Sequence, residues 1–337
     1  MECLGRPTRN QEEEKMRKNV KKVIAPLLAA AMALSCTVCV SAAEDETIKL
    51  TVWGAEEDQD LLKELTDKFQ EKYADQKFDI QIGVESESTA KDTILTDVEA
   101  GADVYAFADD QLTDLVKAGA LLKLDDYAEA LQLVDTTLDD VKAANVEGAI
   151  DAASWDSLLE AADKAGKKVG MTLASGNLVA CVSGTWDAIT AQDVFGDGYA
   201  ATKLPTFTVG DKQVQQGSVA GYKYVGVNGY SENSGWAVLL AEYFTNEESQ
   251  QMFFDQRESG PSNKNVAASD SVQENVALAA LSAQSEYAQA QKVGGKYWDP
   301  AQTFGELVAQ GTLSADDDNA IQEALDNLVD GVTAPVE

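Results

Sequence analysis

Two stretches of the chain place an aromatic ring directly before carboxylates. In one, Trp53-Gly54-Ala55 leads into Glu56, Glu57 and Asp58; in the other, Phe107-Ala108 leads into Asp109 and Asp110. Further on come Trp186-Asp187, Tyr297-Trp298-Asp299, and a Gly-rich run bearing Tyr222 and Tyr224. A flat ring beside a carboxylate suits a neutral, polyhydroxylated ligand. The ligand's C–H face stacks on the ring and its hydroxyls donate to the carboxylate oxygens. For any single tip the plainer reading is a core aromatic followed by a solvated acidic turn. Two tips of the same composition in one sheet make a binding edge a reading to be weighed.

Composition removes other chemistries. The 337 residues contain no histidine, which excludes Ser-His-Asp triads, Cys-His nucleophile pairs and His-ligated metals. Two carboxylates would suffice for a glycosidase, but no acid lies in an apolar run that would make it a proton donor. The expectation is a non-enzyme with no catalytic residue, no metal site and no cofactor. Cys3, Cys36 and Cys39 show no metal-ligand spacing, and Cys181 reads as a small buried hydrophobe. A net charge of −32 argues against nucleic acid and anionic membrane surfaces as partners.

The N-terminal segment reads as an export signal. Arg17 to Lys22 is a basic stretch, Val23 to Val40 an apolar one, and Val40-Ser41-Ala42 a small-residue exit. Residues 16–43 are therefore expected to be a cleaved signal peptide, and residues 1–15 a mis-assigned start upstream of Met16. Ala33-Leu34-Ser35-Cys36 offers a second exit, with a lipid anchor at Cys36. The protein is expected at the cell surface or in the periplasm.

The tips need elements to hold them. Ile48, Leu50 and Val52 alternate with Lys49 and Thr51, which predicts a strand. Leu61, Leu62, Leu65, Phe69 and Tyr73 share one face of the following helix. A second strand is expected over Phe78–Ile82, and a third over Asp103–Phe107. Between them, Thr89-Ala90-Lys91-Asp92 reads as a capping box opening a short helix. Strands alternating with helices imply an α/β fold with a mostly parallel sheet.

This succession resembles the N-terminal lobe of bacterial extracellular solute-binding proteins of the maltose-binding type, the receptors of carbohydrate ABC importers. The residues that carry the resemblance are Leu50-Thr51-Val52-Trp53, a helix with Phe69, Phe78-Asp79-Ile80, Gly101 to Ala106, and Leu115 to Leu124. The later half is similar as well. Ser183-Gly184-Thr185-Trp186 follows a strand, then come Leu204-Pro205, the Gly-rich run, the helix Ser231–Phe244, Thr245-Asn246-Glu247-Glu248-Ser249-Gln250 and Tyr297-Trp298-Asp299-Pro300. Two junctions depart from the family: Ala153 runs straight into the helix at Ser154-Trp155, and Leu173 passes almost at once to Asn177.

The resemblance implies a periplasmic-binding-protein-like two-lobe α/β fold whose second lobe is incomplete. Its expected divisions are an N-terminal lobe over 44–150, a truncated C-terminal lobe over 151–299 and C-terminal helices over 300–337. It also implies a monomeric receptor that binds a sugar, a malto-oligosaccharide first among them, and hands it by lobe closure to the importer's permease. The alternatives are a degenerate paralogue that binds nothing and, behind it, a secreted glycosidase. The candidate ligand contacts are Trp53, Glu57, Asp58, Phe107, Asp110, Trp186, Tyr222, Trp298 and Asp299, of which Phe107, Asp110, Trp186 and Trp298 match the family's contacts by their position in the motifs. Trp155 and Trp236 fall on amphipathic helices and read as core.

Overall fold

The computed structural model describes residues 47–124, 160, 164, 168–170, 178–290, 297–314 and 316–334. The signal peptide, the Cys36 anchor, Trp155 and most of the two departing junctions lie outside them. In chain order the strands are β1 (Ile48–Gly54), β2 (Phe78–Val84), β3 (Val104–Ala108), β4 (Lys168–Gly170), β5 (Leu178–Cys181), β6 (Thr206–Val209), β7 (Lys212–Gln215), β8 (Ser218–Ala220), β9 (Lys223–Val227) and β10 (Ala288–Ala290). The helices are α1 (Gln59–Lys72), α2 (Ala90–Thr96), α3 (Leu112–Lys117), α4 (Ala188–Phe195), α5 (Ser234–Thr245), α6 (Glu247–Arg257), α7 (Lys264–Ala267), α8 (Asp270–Gln273), α9 (Val276–Ser285), α10 (Trp298–Ala309) and α11 (Asp318–Thr333).

The main sheet runs β2-β1-β3-β9. β1 pairs parallel with β2 and β3, and β9 pairs antiparallel with β3. β9, from the span expected as the second lobe, completes the first sheet. The physical cause is a set of bonds made by the chain around β9. Asn228 N donates to Asp103 O at 2.9 Å, and Leu122 N donates to Val227 O at 2.7 Å. Asp103 extends the ladder with its side chain, its Oδ2 accepting from Thr51 N at 2.8 Å and its Oδ1 from the Ser231 hydroxyl. Buried Asn228 donates through Nδ2 to Val98 O at 2.9 Å.

One face of this sheet carries Leu50, Val52, Val104 and Val227, and α1 and α5 pack over it. Phe69 of α1 is fully buried there. Sequence places Ser231–Phe244 as an amphipathic helix, but α5 buries Ala237 to Ala241, Tyr243 and Phe244 nearly all round. It is sandwiched between the sheet and the helices α1 and α6, so no face of it is left to be polar. Trp236 stands edge-on to Phe78 at 5.1 Å and to Tyr73 at 5.5 Å, as expected of a core residue. The opposite sheet face holds Tyr105 and Phe107 against α2 and α3.

The expected capping box at Thr89 does not form. Thr89 occupies the cap position of α2, but its hydroxyl donates to the Glu85 carboxylate, a stronger acceptor outside the helix. For α6 the cap is Asn246, whose Oδ1 accepts from Ser249 N at 2.9 Å.

Beyond the main sheet, the described residues form three two-stranded pairs: β4 with β5, β8 with β10, and the hairpin β6–β7. Buried Gln284 of α9 joins two of these regions, donating to Gln216 O at 3.1 Å and accepting from Leu204 N at 3.0 Å. Among the described residues no helix is long and apolar enough to cross a membrane.

Candidate functional site

The C-terminal tips of β1 and β3 and the N-terminal end of β9 meet on one edge of the main sheet, where open α/β folds gather ligand-binding groups. A 3-10 turn, Asp109–Gln111, follows β3. Buried Gln111 fixes it, donating through Nε2 to both Glu87 O and Ser88 O at 2.8 Å. Asp109 N donates to Tyr222 O at 3.0 Å, which ties the turn to β9.

From the far end of the chain, α10 delivers Trp298 to the same turn. Its indole Nε1 donates to Asp110 Oδ2 at 3.0 Å. The other carboxylate oxygen, Asp110 Oδ1, is buried and has no hydrogen-bond partner among the described residues. Trp298 itself is 55% exposed, with Tyr297 edge-on to it at 5.2 Å. An open ring beside an unsatisfied carboxylate oxygen is the arrangement that aromatic-acid tips can offer a sugar.

Charged groups line the neighbouring tips. Arg257, at the end of α6, holds Asp58 through Nε at 3.0 Å and lies 4.0 Å from Glu57. Lys223 pairs with Glu87 at 2.8 Å. Burial pushes Asp58 above the ordinary carboxylate value, against the charges of Lys223 and Arg257. Burial likewise pushes up the Tyr222 phenol, with the Tyr224 and Asp109 charges adding to it. For Glu87, burial also acts upward, but the Lys223 hydrogen bond and charge outweigh it and hold the acid below its usual value.

The sign of the Glu87 effect follows. An acid with a depressed folded value stabilises the fold above its unfolded value, and that stability is lost as pH falls through the folded one. Removing Lys223 leaves burial opposed only by the hydrogen bonds from the backbone and from Ser86. Lys223→Met is therefore expected to move the Glu87 titration upward. Carbon-13 titration of the Glu87 carboxyl checks this, and an unmoved midpoint would refute the pairing.

The structure sorts the expected contacts. Asp110 and Trp298 come together directly, and half-buried Tyr222 joins them through Asp109. Asp299 is exposed in the first turn of α10, beside Trp298. Glu57 and Asp58 reach the tip but are engaged by Arg257. Phe107 is only 3% exposed and cannot present a face; Tyr224 from β9 covers it, ring centroids 5.5 Å apart. Trp53 turns onto the sheet face that holds Tyr105, edge-on to it at 6.5 Å, and does not join Trp298. Trp186 is 81% exposed, its ring lying over Gly184 on the turn before α4. Sequence reading missed Glu87, Lys223 and Arg257. The signal for Lys223 is a lone cation between two tyrosines on a strand end.

With this geometry in hand, comparison with known proteins is informative. Residues 164–280 match the model of a family described as bacterial extracellular solute-binding protein. No curated protein matches the chain in sequence. Among solved structures, a chain solved with acarbose is 25% identical and superposes with a TM-score of 0.63 over 85% of this chain and 98% of that one. The maltodextrin-binding protein MalE1 from L. casei BL23, without ligand, is 20% identical, with a TM-score of 0.65 over 86% and 99%. The Thermus thermophilus maltotriose-binding protein, bound with maltotriose, is 15% identical, with a TM-score of 0.62 over 85% and 99%. In sequence over 164–280 and in its two-lobe α/β fold, the chain resembles the bacterial extracellular solute-binding proteins of the maltose-binding type.

Proposed function

We propose that the chain is an extracytoplasmic receptor that binds a malto-oligosaccharide at the Asp110–Trp298 tip and delivers it to an ABC importer. The observation that carries this reading is the Trp298 indole on Asp110 Oδ2 with Oδ1 buried and unsatisfied. A buried acceptor without a donor is costly, by about 1–3 kcal/mol, and a ligand hydroxyl would remove that cost. The sugars in neighbouring solved structures, acarbose and maltotriose, are of the class such a tip would take. The receptor role also rests on the family resemblance, whose members work without catalysis. Two-lobe closure over the sugar would give the importer's permease a form to distinguish from the empty one.

A melting-temperature panel tests the reading. Maltose, maltotriose and maltotetraose are expected to raise the melting temperature in a concentration-dependent way. Galactose and sucrose serve as the comparison. A cooperative transition that no sugar shifts would favour the non-binding paralogue, and release of glucose during incubation would favour a glycosidase.

A further inference from the structure

A second surface carries the same type of chemistry on the flank of α2. On β1, Lys49, Thr51 and Trp53 face away from the core that holds Leu50 and Val52. Trp53 lies against Gly83 of edge strand β2, where an added Cβ would stand 2.9 Å from its Cδ1. Beside it, along the flank of α2, runs an open groove of about 510 Å³. Trp53, Asp92, Thr93, Thr96, Asp97 and Gly101 line it. The groove ends at the segment Asp97–Gly101, which leads into the start of β3, whereas Asp109 and Asp110 follow that strand's other end.

The polar groups of the groove are arranged as acceptors. Thr93 donates its hydroxyl proton to Glu85 Oε2 at 2.8 Å, and Thr96 donates to Asp92 O at 3.1 Å. Both oxygens keep lone pairs. Asp97 Oδ1 is fixed by Glu99 N at 3.2 Å and Ala100 N at 3.3 Å, leaving Oδ2 to accept. Lys91 Nζ stands 3.2 Å from Asp92 and offsets its charge. Lys91 thus balances Asp92, and the remaining oxygens can accept from a donor-rich ligand. An indole face beside fixed acceptors fits a sugar ring with its hydroxyls turned outward.

We infer that this groove is a second carbohydrate-binding site, in which one ring of an oligosaccharide stacks on Trp53 and donates to Asp97 and the threonine oxygens of α2. It goes beyond the strand-tip reading and stands whether or not that tip binds. A single stacking ring in an open groove makes the site weak, with affinity in the millimolar range.

The chain has five tryptophans, so nitrogen-15 labelling of tryptophan gives few indole signals, and Trp53→Phe assigns the one that matters. The Asp110→Ala protein is titrated with maltotetraose to high millimolar concentration. The Trp53 signal is expected to move saturably, with the core Trp236 signal still, and Asp97→Ala or Thr93→Ala should weaken the midpoint severalfold. Should Asp110→Ala fail to fold, the wild-type chain reads the same event past saturation of Trp298. A Trp53 signal that stays unmoved would overturn the inference. So would one that moves at the midpoint of Trp298, or one that answers to spermine and not to maltotetraose.

Discussion

Phe69→Ala is expected to remove about 3–5 kcal/mol of folding free energy, the usual loss for truncating a fully buried aromatic. The Phe69 ring is fully buried and contacts three others: Tyr73 at 4.9 Å, Phe78 at 5.5 Å and Tyr243 at 5.8 Å. These rings come from α1's own end, from β2 and from α5. Phe69 thus joins the first part of the chain to the part that returns to it. A domain holds only about 5–15 kcal/mol in all, so the variant should melt far below the wild type and expose the main sheet. Urea unfolding followed by tryptophan emission gives the number, since Trp236 packs on two of the same neighbours. A loss under about 1 kcal/mol would mean that the cavity collapses and the cluster is less rigid than its geometry implies.

Asp110→Ala is expected to lower malto-oligosaccharide affinity by about ten- to a hundredfold. The basis is the cost of losing a hydrogen bond to a charged group, about 1.5–3 kcal/mol, at about 1.4 kcal/mol per tenfold. The same change releases the Trp298 indole from its 3.0 Å bond, so the ring loses its fixed orientation as well. Asp110→Asn is the informative partner, because an amide keeps one acceptor oxygen and roughly the same shape. It should bind with intermediate affinity, and calorimetric titration of maltotetraose into the three proteins orders them. Equal affinities for wild type and Asp110→Ala would remove Asp110 from the site and shift attention to Lys223 and Glu87.

The legible part of this fold was local. β1, α1, β2 and β3 follow from alternation and helical spacing within short windows, and the structure has them nearly where those patterns put them. What sequence could not supply was the pairing of β9. Lys223-Tyr224-Val225-Gly226-Val227 has the look of a strand, but nothing in it names β3 as its neighbour. That single pairing decides the fate of Phe107, because Tyr224 arrives over it and closes the ring into the core. It also supplies Lys223, the cation that holds Glu87. Trp53 failed as a tip residue for a related reason. In a strand, successive side chains alternate faces, and the parity that puts Leu50 and Val52 in one core sends Trp53 to the other side. Asp110 and Trp298 can meet because each stands in a turn or first helical turn, where strand parity imposes no constraint.

The return of β9 has a kinetic consequence. The hydrogen bond from Ser231 to Asp103 spans 128 positions, and the antiparallel ladder closes over a similar separation. The first lobe is thus a discontinuous domain with high contact order, and such topologies fold slowly because a long loop must close before its contacts stabilise it. During synthesis β1, β2 and β3 emerge with one edge of β3 unpaired, and α1 lacks the α5 surface that it packs against. Until β9 arrives, the β3 edge and the apolar face of α1 are the surfaces most exposed to mispairing.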